Sequence, residues 1–200
     1  MADLFADKAG DWDKRERVKA LSRDIGAAIL RSIDFQEGME VMDFGAGTGL
    51  ITSQVAPLVE RIVAVDTSEA MLEHLMAKPE LAGKVKPVCR DITTEPIRER
   101  FDLIMSAMAL HHVPDTRTLL LRFAEHLKPG ARIALADLDK EDGTFHPADA
   151  EGVFHHGFER ALLAELLEEV GFDGVHFTTA HTVKGDARDY PVFLVTAAKP

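Results

Sequence analysis

In Asp43-Phe44-Gly45-Ala46-Gly47-Thr48-Gly49 a carboxylate stands two residues ahead of three glycines that alternate with small side chains. Glycines in such a turn let the backbone approach a ligand that a Cβ would hold off, and adopt angles other residues disfavour. Val41 and Met42 lead in as an apolar run, and Leu50, Ile51, Val55, Leu58 and Val59 continue as a helical stripe with Pro57 near its end. The segment therefore reads as a buried strand, a tight turn and a helix. The free N–H groups and positive end of that helix would face the same crevice. An acid beside them suits a cationic or hydroxyl-rich ligand better than a phosphate.

Further groups fall where a crevice at the ends of parallel strands would collect them. Arg61-Ile62-Val63-Ala64-Val65-Asp66 is an apolar run ending in an acid, 17 residues after Gly49. An acid at the end of a second strand accepts hydrogen bonds from ribose hydroxyls; it could also cap the next helix, as could Thr67 or Ser68. Asp91 and Ile92 follow a third strand, where a carboxylate can accept from an adenine amine and a backbone N–H can donate to a ring nitrogen. Met71 could touch that ring or simply fill the core. Ser106, His111 and His112 close a fourth strand, and imidazole is the side chain suited to take a proton near neutrality. His146, His155 and His156 lie in a charged, irregular stretch over residues 139–157. Trp12 is either a lid residue or an anchor for the N-terminal arm. His111 and His156 are the candidate bases, and Trp12, His112 and His155 the candidate acceptor contacts. The histidines also raise metal binding, but adjacent His pairs diverge and cysteine ligands are lacking, so no metal site is expected.

Positioning these groups takes alternating strands and helices. Val18, Leu21, Ile25, Ile29 and Ile33 mark a helix ahead of the first strand. Lys84–Cys89 reads as an edge strand because Pro87 cannot donate to a ladder. The stretch Phe101–Pro114 begins as the fourth strand, turns at small residues and ends in the paired histidines, a proline-started helix follows from Pro114, and Lys128-Pro129-Gly130 reads as helix stop and turn. Ala131–Leu138 is the fifth strand. Phe158, Leu162, Leu166 and Val170 form a last helical stripe ended by Gly171. Val175–Thr179 and Val192–Ala197, joined by a polar stretch with no helical pattern, pair as an antiparallel hairpin.

Composition narrows the partners. With 200 residues, 46% of them hydrophobic, the chain is expected to fold as one domain over residues 1–200, with 1–34 as an arm and helix covering the site and 139–157 as a lid loop. One cysteine, Cys89, precludes an internal disulfide and a Cys-rich zinc site. The net charge of −11 opposes nucleic acid, favouring a small-molecule substrate. No apolar run reaches the roughly 18 residues of a membrane helix, and the start lacks the pattern of a signal peptide, so a cytoplasmic monomer or homodimer is expected.

The Asp-Phe-Gly-Ala-Gly-Thr-Gly turn resembles motif I of the class I S-adenosylmethionine-dependent methyltransferases. The later segments resemble the same family, nearest its small-molecule enzymes of the ubiquinone/menaquinone-methyltransferase type. The resemblance implies an α/β, Rossmann-like seven-stranded sheet of order 3-2-1-4-5-7-6, with strand 7 antiparallel and helices on both faces. It implies S-adenosylmethionine as cofactor, S-adenosylhomocysteine as product, and in-line methyl transfer. The cofactor contacts it implies are Asp43, Gly45, Ala46 and Gly47 from motif I, Asp66 and Thr67 with Met71 after the second strand, Asp91 and Ile92, and Ser106. Two other classes stay open on residues alone. An NAD(P)-dependent oxidoreductase shares the turn and the ribose acid, but its fingerprint is G-x-G-x-x-G and it more often continues with a sixth parallel strand. A non-catalytic cofactor-binding regulatory module would carry the same binding residues.

Overall fold

A computed structural model describes residues 3–200. Seven strands form one sheet: β1 (Glu40–Phe44), β2 (Arg61–Asp66), β3 (Val85–Cys89), β4 (Phe101–Ala107), β5 (Leu127–Leu138), β6 (Asp173–Lys184) and β7 (Asp189–Ala198). Their order is β3-β2-β1-β4-β5-β7-β6. β1 to β5 pair in parallel, and β7 runs antiparallel between β5 and β6. The hairpin expected at the end of the chain is present, where a sixth parallel strand would have indicated a nicotinamide enzyme.

Strand periodicity divides the interior into two layers. Val41, Ile62, Ala64, Leu103, Met105, Ala134 and Leu194 face one side. There they meet α2 (Glu16–Ser32), α3 (Thr52–Val55) and α4 (Glu69–Met76) through Ile25, Ile29, Val55, Leu72 and Leu75. Met42, Val63, Ile104, Ile133, Leu135 and Phe193 face the other. Their partners are Leu119 and Phe123 of α5 (Thr116–His126) and Leu163 and Leu167 of α6 (Arg160–Glu169). Each such fully buried side chain contributes about 1.5–3 kcal/mol of transfer free energy.

Several elements differ from the sequence reading. Residues 50–59 are not one helix. α3 is a single turn, followed by a 3-10 turn over Ala56–Leu58, because Pro57 lacks an N–H and clashes with the preceding turn. A single turn sums few peptide dipoles, so the positive helix end expected beside the glycines is weak. Lys128-Pro129-Gly130 lies within β5, whose pairing with β4 slips between Phe101 and Leu103. Gly130 absorbs the irregularity at φ 76°. α5 starts after an Asp115 cap, which accepts from Thr118 N–H at 3.0 Å, so Pro114 stands outside the helix. On α6 the stripe is displaced by one residue: Leu163 and Leu167 are buried while Leu162 is 59% exposed. β6 and β7 extend well beyond the apolar runs, leaving only residues 185–188 between them. β6 is an edge strand with polar residues on both faces, which conceals its alternation. Residues 6–12, read as an arm, form a short helix, α1 (Ala6–Trp12).

Candidate functional site

The glycine turn lies against the ends of β2 and β4. Gly45 and Ala46 donate their N–H groups to Val65 O at 2.8 and 3.1 Å. A Cβ on Gly45, where φ is 67°, would stand 2.3 Å from the Ala109 Cβ, so the turn after β4 closes directly on the glycines. Gly47, at φ 53°, meets nothing within 4 Å on its Cβ side. One glycine is thus required for packing and the next leaves an open cradle.

The two acids differ. Asp43 is buried and accepts from Thr52 Oγ1 at 2.5 Å. Burial, and then the neighbouring Asp66 charge, push its carboxyl up to about 7 against the Thr52 hydrogen bond. It stitches β1 to α3 within the turn. Asp66 accepts from Gly47 N–H at 2.8 Å and Ser68 N–H at 2.9 Å. Burial raises its carboxyl above the ordinary value, and the N–H groups of Ser68, Gly47 and Thr67 pull it back. Ser68 caps α4 by accepting from Met71 N–H at 3.2 Å. Asp66 is therefore not the cap.

The other cofactor candidates are spread along the same edge. Thr67 is exposed, while Met71 and Ile92 are buried, Ile92 in the layer that packs on α5 and α6. Asp91 is half-buried and bends its own loop by accepting from Thr93 N–H at 2.9 Å. Ser106 is buried with its hydroxyl donating to Phe44 O at 2.9 Å, so it ties β4 to β1.

The turn after β4 brings three histidines together. Met108 takes a left-handed φ of 58° and donates to Ala136 O at 2.8 Å, swinging the chain into a 3-10 turn over Leu110–His112. His111, 1% exposed, places Nδ1 2.7 Å from Asp137 Oδ1 and its backbone N–H 3.2 Å from Asp137 Oδ2. Its Nε2 lies 3.2 Å from His146 Nε2. The His112 ring centroid is 4.1 Å from that of His111, and His112 Nδ1 bonds Gly152 O at 2.6 Å. Burial, followed by the His111 charge, lowers His112 to about 4 despite the Gly152 carbonyl. His146 is lowered as well, chiefly by burial.

His155 and His156 do not join this cluster. His155 Nε2 faces Val113 O at 2.9 Å and Thr116 Oγ1 at 3.3 Å, fastening the 139–157 loop to the start of α5. The His156 side chain is 55% exposed and its Nδ1 stands 3.5 Å from Glu141 Oε1. The two rings diverge, His155 toward Val113 and Thr116 and His156 toward Glu141. Of the loop histidines, His146 meets His111 and His156 faces Glu141. Asp137, 0% exposed, escaped the sequence reading altogether because it reads as the polar end of an apolar strand. Its only signal was an acid closing β5, as Asp43 and Asp66 stand near the ends of β1 and β2.

α1 covers this edge. Asp3 accepts from Ser68 Oγ at 2.8 Å. Asp13 accepts from Thr48 Oγ1 at 2.5 Å and pairs with Lys78 at 2.8 Å. Phe5 sets its ring edge-on to His112 at 5.3 Å and to Trp12 at 6.1 Å. The arm therefore spans the glycine turn, the start of α4 and the histidines. Two surface cavities, of about 500 and 230 Å³, lie instead along β3 and at the amino ends of β4 and β5. Neither is lined by Asp43, Asp66 or a histidine, although Arg90 of the first donates its N–H to Asp66 O at 2.9 Å. Among the described residues no group of three or more His, Cys, Asp or Glu is placed to hold a metal ion. No helix there is long and apolar enough to cross a membrane.

Gly47 leaves an open cradle beside the Asp66 carboxylate, which is held by N–H donors. Comparison with known proteins gives the family. A family model described as a methyltransferase domain matches residues 41–130. The chain is 30% identical over 185 residues to an O-methyltransferase of Aspergillus sclerotiorum, covering 87% of this chain and 68% of the relative. An uncharacterized methyltransferase of Schizosaccharomyces pombe is 32% identical over 138 residues, covering 61% of this chain and 49% of that protein, so the chain spans about half its length. In fold it is similar to the N-methyltransferase NodS of Bradyrhizobium japonicum, solved with S-adenosylhomocysteine, at a TM-score of 0.74 and 17% identity over 99% of this chain and 95% of that one. Motif, strand order and relatives converge: the chain belongs to the class I S-adenosylmethionine-dependent methyltransferases.

Proposed function

We propose that the chain methylates a small-molecule acceptor by in-line displacement, with the acceptor held between the turn after β4, the 139–157 loop and α1. The observation that supports this most is continuity. The Gly45–Ala109 contact makes the cofactor turn and the histidine turn one surface, roofed by one helix. The bound cofactor supplies a methyl group on a sulfonium, which leaves as a neutral thioether. Asp66 holds the ribose hydroxyls, Gly47 opens room for the amino-acid end, and Asp91 with the Ile92 N–H receives the adenine edge. Asp43 and Ser106 shape the cradle from beneath, through Thr52 and the Phe44 carbonyl. α1, with Trp12 and Phe5, excludes water, so that positioning in a dry site supplies much of the rate.

A small acceptor is supported by the charge of −11 and by the relative named an O-methyltransferase. Nucleic acid and membrane surfaces are not part of this reading. Calorimetry with S-adenosylmethionine and S-adenosylhomocysteine tests the cofactor site: Asp66→Ala should lose about 1.5–3 kcal/mol for both, the worth of a charge-assisted hydrogen bond. Unchanged affinity in a folded variant removes Asp66 from the site. Release of S-adenosylhomocysteine with a panel of small acceptors tests turnover, and a gel shift with duplex DNA at low salt tests the exclusion of nucleic acid.

A further inference from the structure

We infer that His146 is the base that faces the acceptor, that His111 and Asp137 form a buried proton-holding chain behind it, and that the acceptor group is a phenolic hydroxyl. The inference rests on the methyltransferase reading above and adds the acceptor chemistry to it. His111, the base expected from sequence, has no nitrogen to offer. Its Nδ1 is 2.7 Å from Asp137 Oδ1 and its Nε2 is 3.2 Å from His146 Nε2. The ring and its carboxylate are both sealed from water, at 1% and 0% exposure.

The proton inventory then follows from hydrogen-bond chemistry. A carboxylate only accepts, so His111 carries its proton on Nδ1 and presents a lone pair at Nε2. His146 must therefore donate from Nε2, which leaves its Nδ1 with a lone pair. That Nδ1 makes no hydrogen bond among the described residues. Asp137 also accepts the N–H groups of His111 and Leu138, which fixes its orientation. His112 donates its Nδ1–H to Gly152 O and is a poorer base because Phe5 packs on its ring and burial lowers it to about 4. The charged groups bearing on His146 besides this chain are Glu141 and Lys8 of α1.

In the transfer, an oxygen lone pair forms the new O–CH3 bond, and the C–S bonding pair leaves with sulfur. The hydroxyl proton goes to His146 Nδ1, the Nε2 proton of His146 passes to His111, and the Asp137 carboxylate stabilises the imidazolium formed there. A neutral amine attacks with its own lone pair and needs no such chain before transfer, whereas a hydroxyl methylated with its proton retained would give an oxonium. A phenol, at a pKa of roughly 10, lies within reach of an imidazole, and an aliphatic alcohol does not. Phe5, Trp12 and Phe145 supply aromatic edges around the histidines, the setting in which a ring stacks.

Two measurements test this. Imidazole 15N–1H correlation spectra of the whole protein should show His111 as the Nδ1–H tautomer and His146 as the Nε2–H tautomer, with His111 losing its fixed tautomer in Asp137→Asn. His146 found as Nδ1–H, or averaged between tautomers, overturns the chain. Methyl transfer to phenol and to 4-nitrophenol is then compared at about pH 8, where 4-nitrophenol is largely ionised and needs no base. His146→Gln should lose roughly a hundredfold on phenol and about twofold or less on 4-nitrophenol. Equal losses on both make His146 a contact and not a base. Binding of S-adenosylmethionine without methylation of either phenol overturns the phenolic acceptor while leaving the cofactor reading intact; failure to bind it overturns both.

Discussion

The two halves of the crevice are built in different ways. The floor of the cofactor half is nearly continuous in sequence: Asp43 to Asp66 spans one strand, one turn, one short helix and a second strand, and the Asp43–Thr52 and Gly47–Asp66 hydrogen bonds close within that unit. The acceptor half is assembled from distant parts. His111 lies in the turn after β4, Asp137 is the penultimate residue of β5, His146 comes from the loop after β5, and Phe5 and Trp12 arrive from the N-terminal arm. A local unit can be conserved as a module and reused with many acceptors. An assembled wall can change its acceptor by altering one loop without disturbing the cofactor. That division also explains why Gly45 matters to both halves, since it is the point where they touch.

The largest effect should therefore come from Gly45→Val, which breaks both halves together. The new side chain meets Ala109 at 2.3 Å and forces a β-branched residue to a positive φ. A loss of at least about 3 kcal/mol in stability is expected, with cofactor binding abolished, as read by thermal melting and calorimetry. Asp137→Asn should break only the acceptor half. An amide facing His111 replaces a charge-assisted bond worth about 1.5–3 kcal/mol. Turnover should fall at least about tenfold while calorimetric affinity for S-adenosylhomocysteine stays close to wild type.

Acid and base titrations separate the halves in opposite directions. Asp43 is raised to about 7 by burial, so its neutral form is favoured in the fold. Its contribution to stability is lost as pH rises from about 4 to 7, because the unfolded chain there binds fewer protons. His112 is lowered to about 4, so its contribution is present above about 6.5 and lost as pH falls toward 4. At about 1.4 kcal/mol per tenfold change in proton affinity, each amounts to a few kcal/mol at most. Denaturant midpoints from pH 4 to 8 should show Asp43→Asn removing the first slope and His112→Asn the second. A variant that leaves its slope unchanged assigns that proton uptake to another group.

The smallest expected effect is in the lid. α1 buries only Ala9 among its own residues, so Asp13→Asn should change the unfolding free energy by about 1 kcal/mol or less. Trp12 is the chain's single tryptophan, and its fluorescence reports the position of α1. Titration with S-adenosylhomocysteine should change that emission in wild type, with a weaker midpoint in Asp13→Asn where the Thr48 and Lys78 contacts are loosened. An emission that stays constant through a titration saturating by calorimetry detaches α1 from the cofactor half.

The sheet order followed from the resemblance to the family. Sequence by itself determined the antiparallel hairpin and the glycine turn, which rest on local rules: glycine at positive φ, acids at strand ends, apolar runs bounded by turns. It misjudged the length of the helix after the glycines, since Pro57 acts more strongly than an apolar stripe, and the phase of α6, since Leu162 and Leu163 both satisfy a helical pattern. Only the tertiary structure decided which histidine meets which. His146 and His156 were equivalent as residues of one irregular loop, and the packing of that loop on β4 and β5 turned one toward His111 and the other toward Glu141 and solvent. Asp137 was hidden for the same reason. A carboxylate at a strand end becomes a functional partner only when a neighbouring strand delivers an imidazole to it, and that contact spans 26 residues that no local pattern connects.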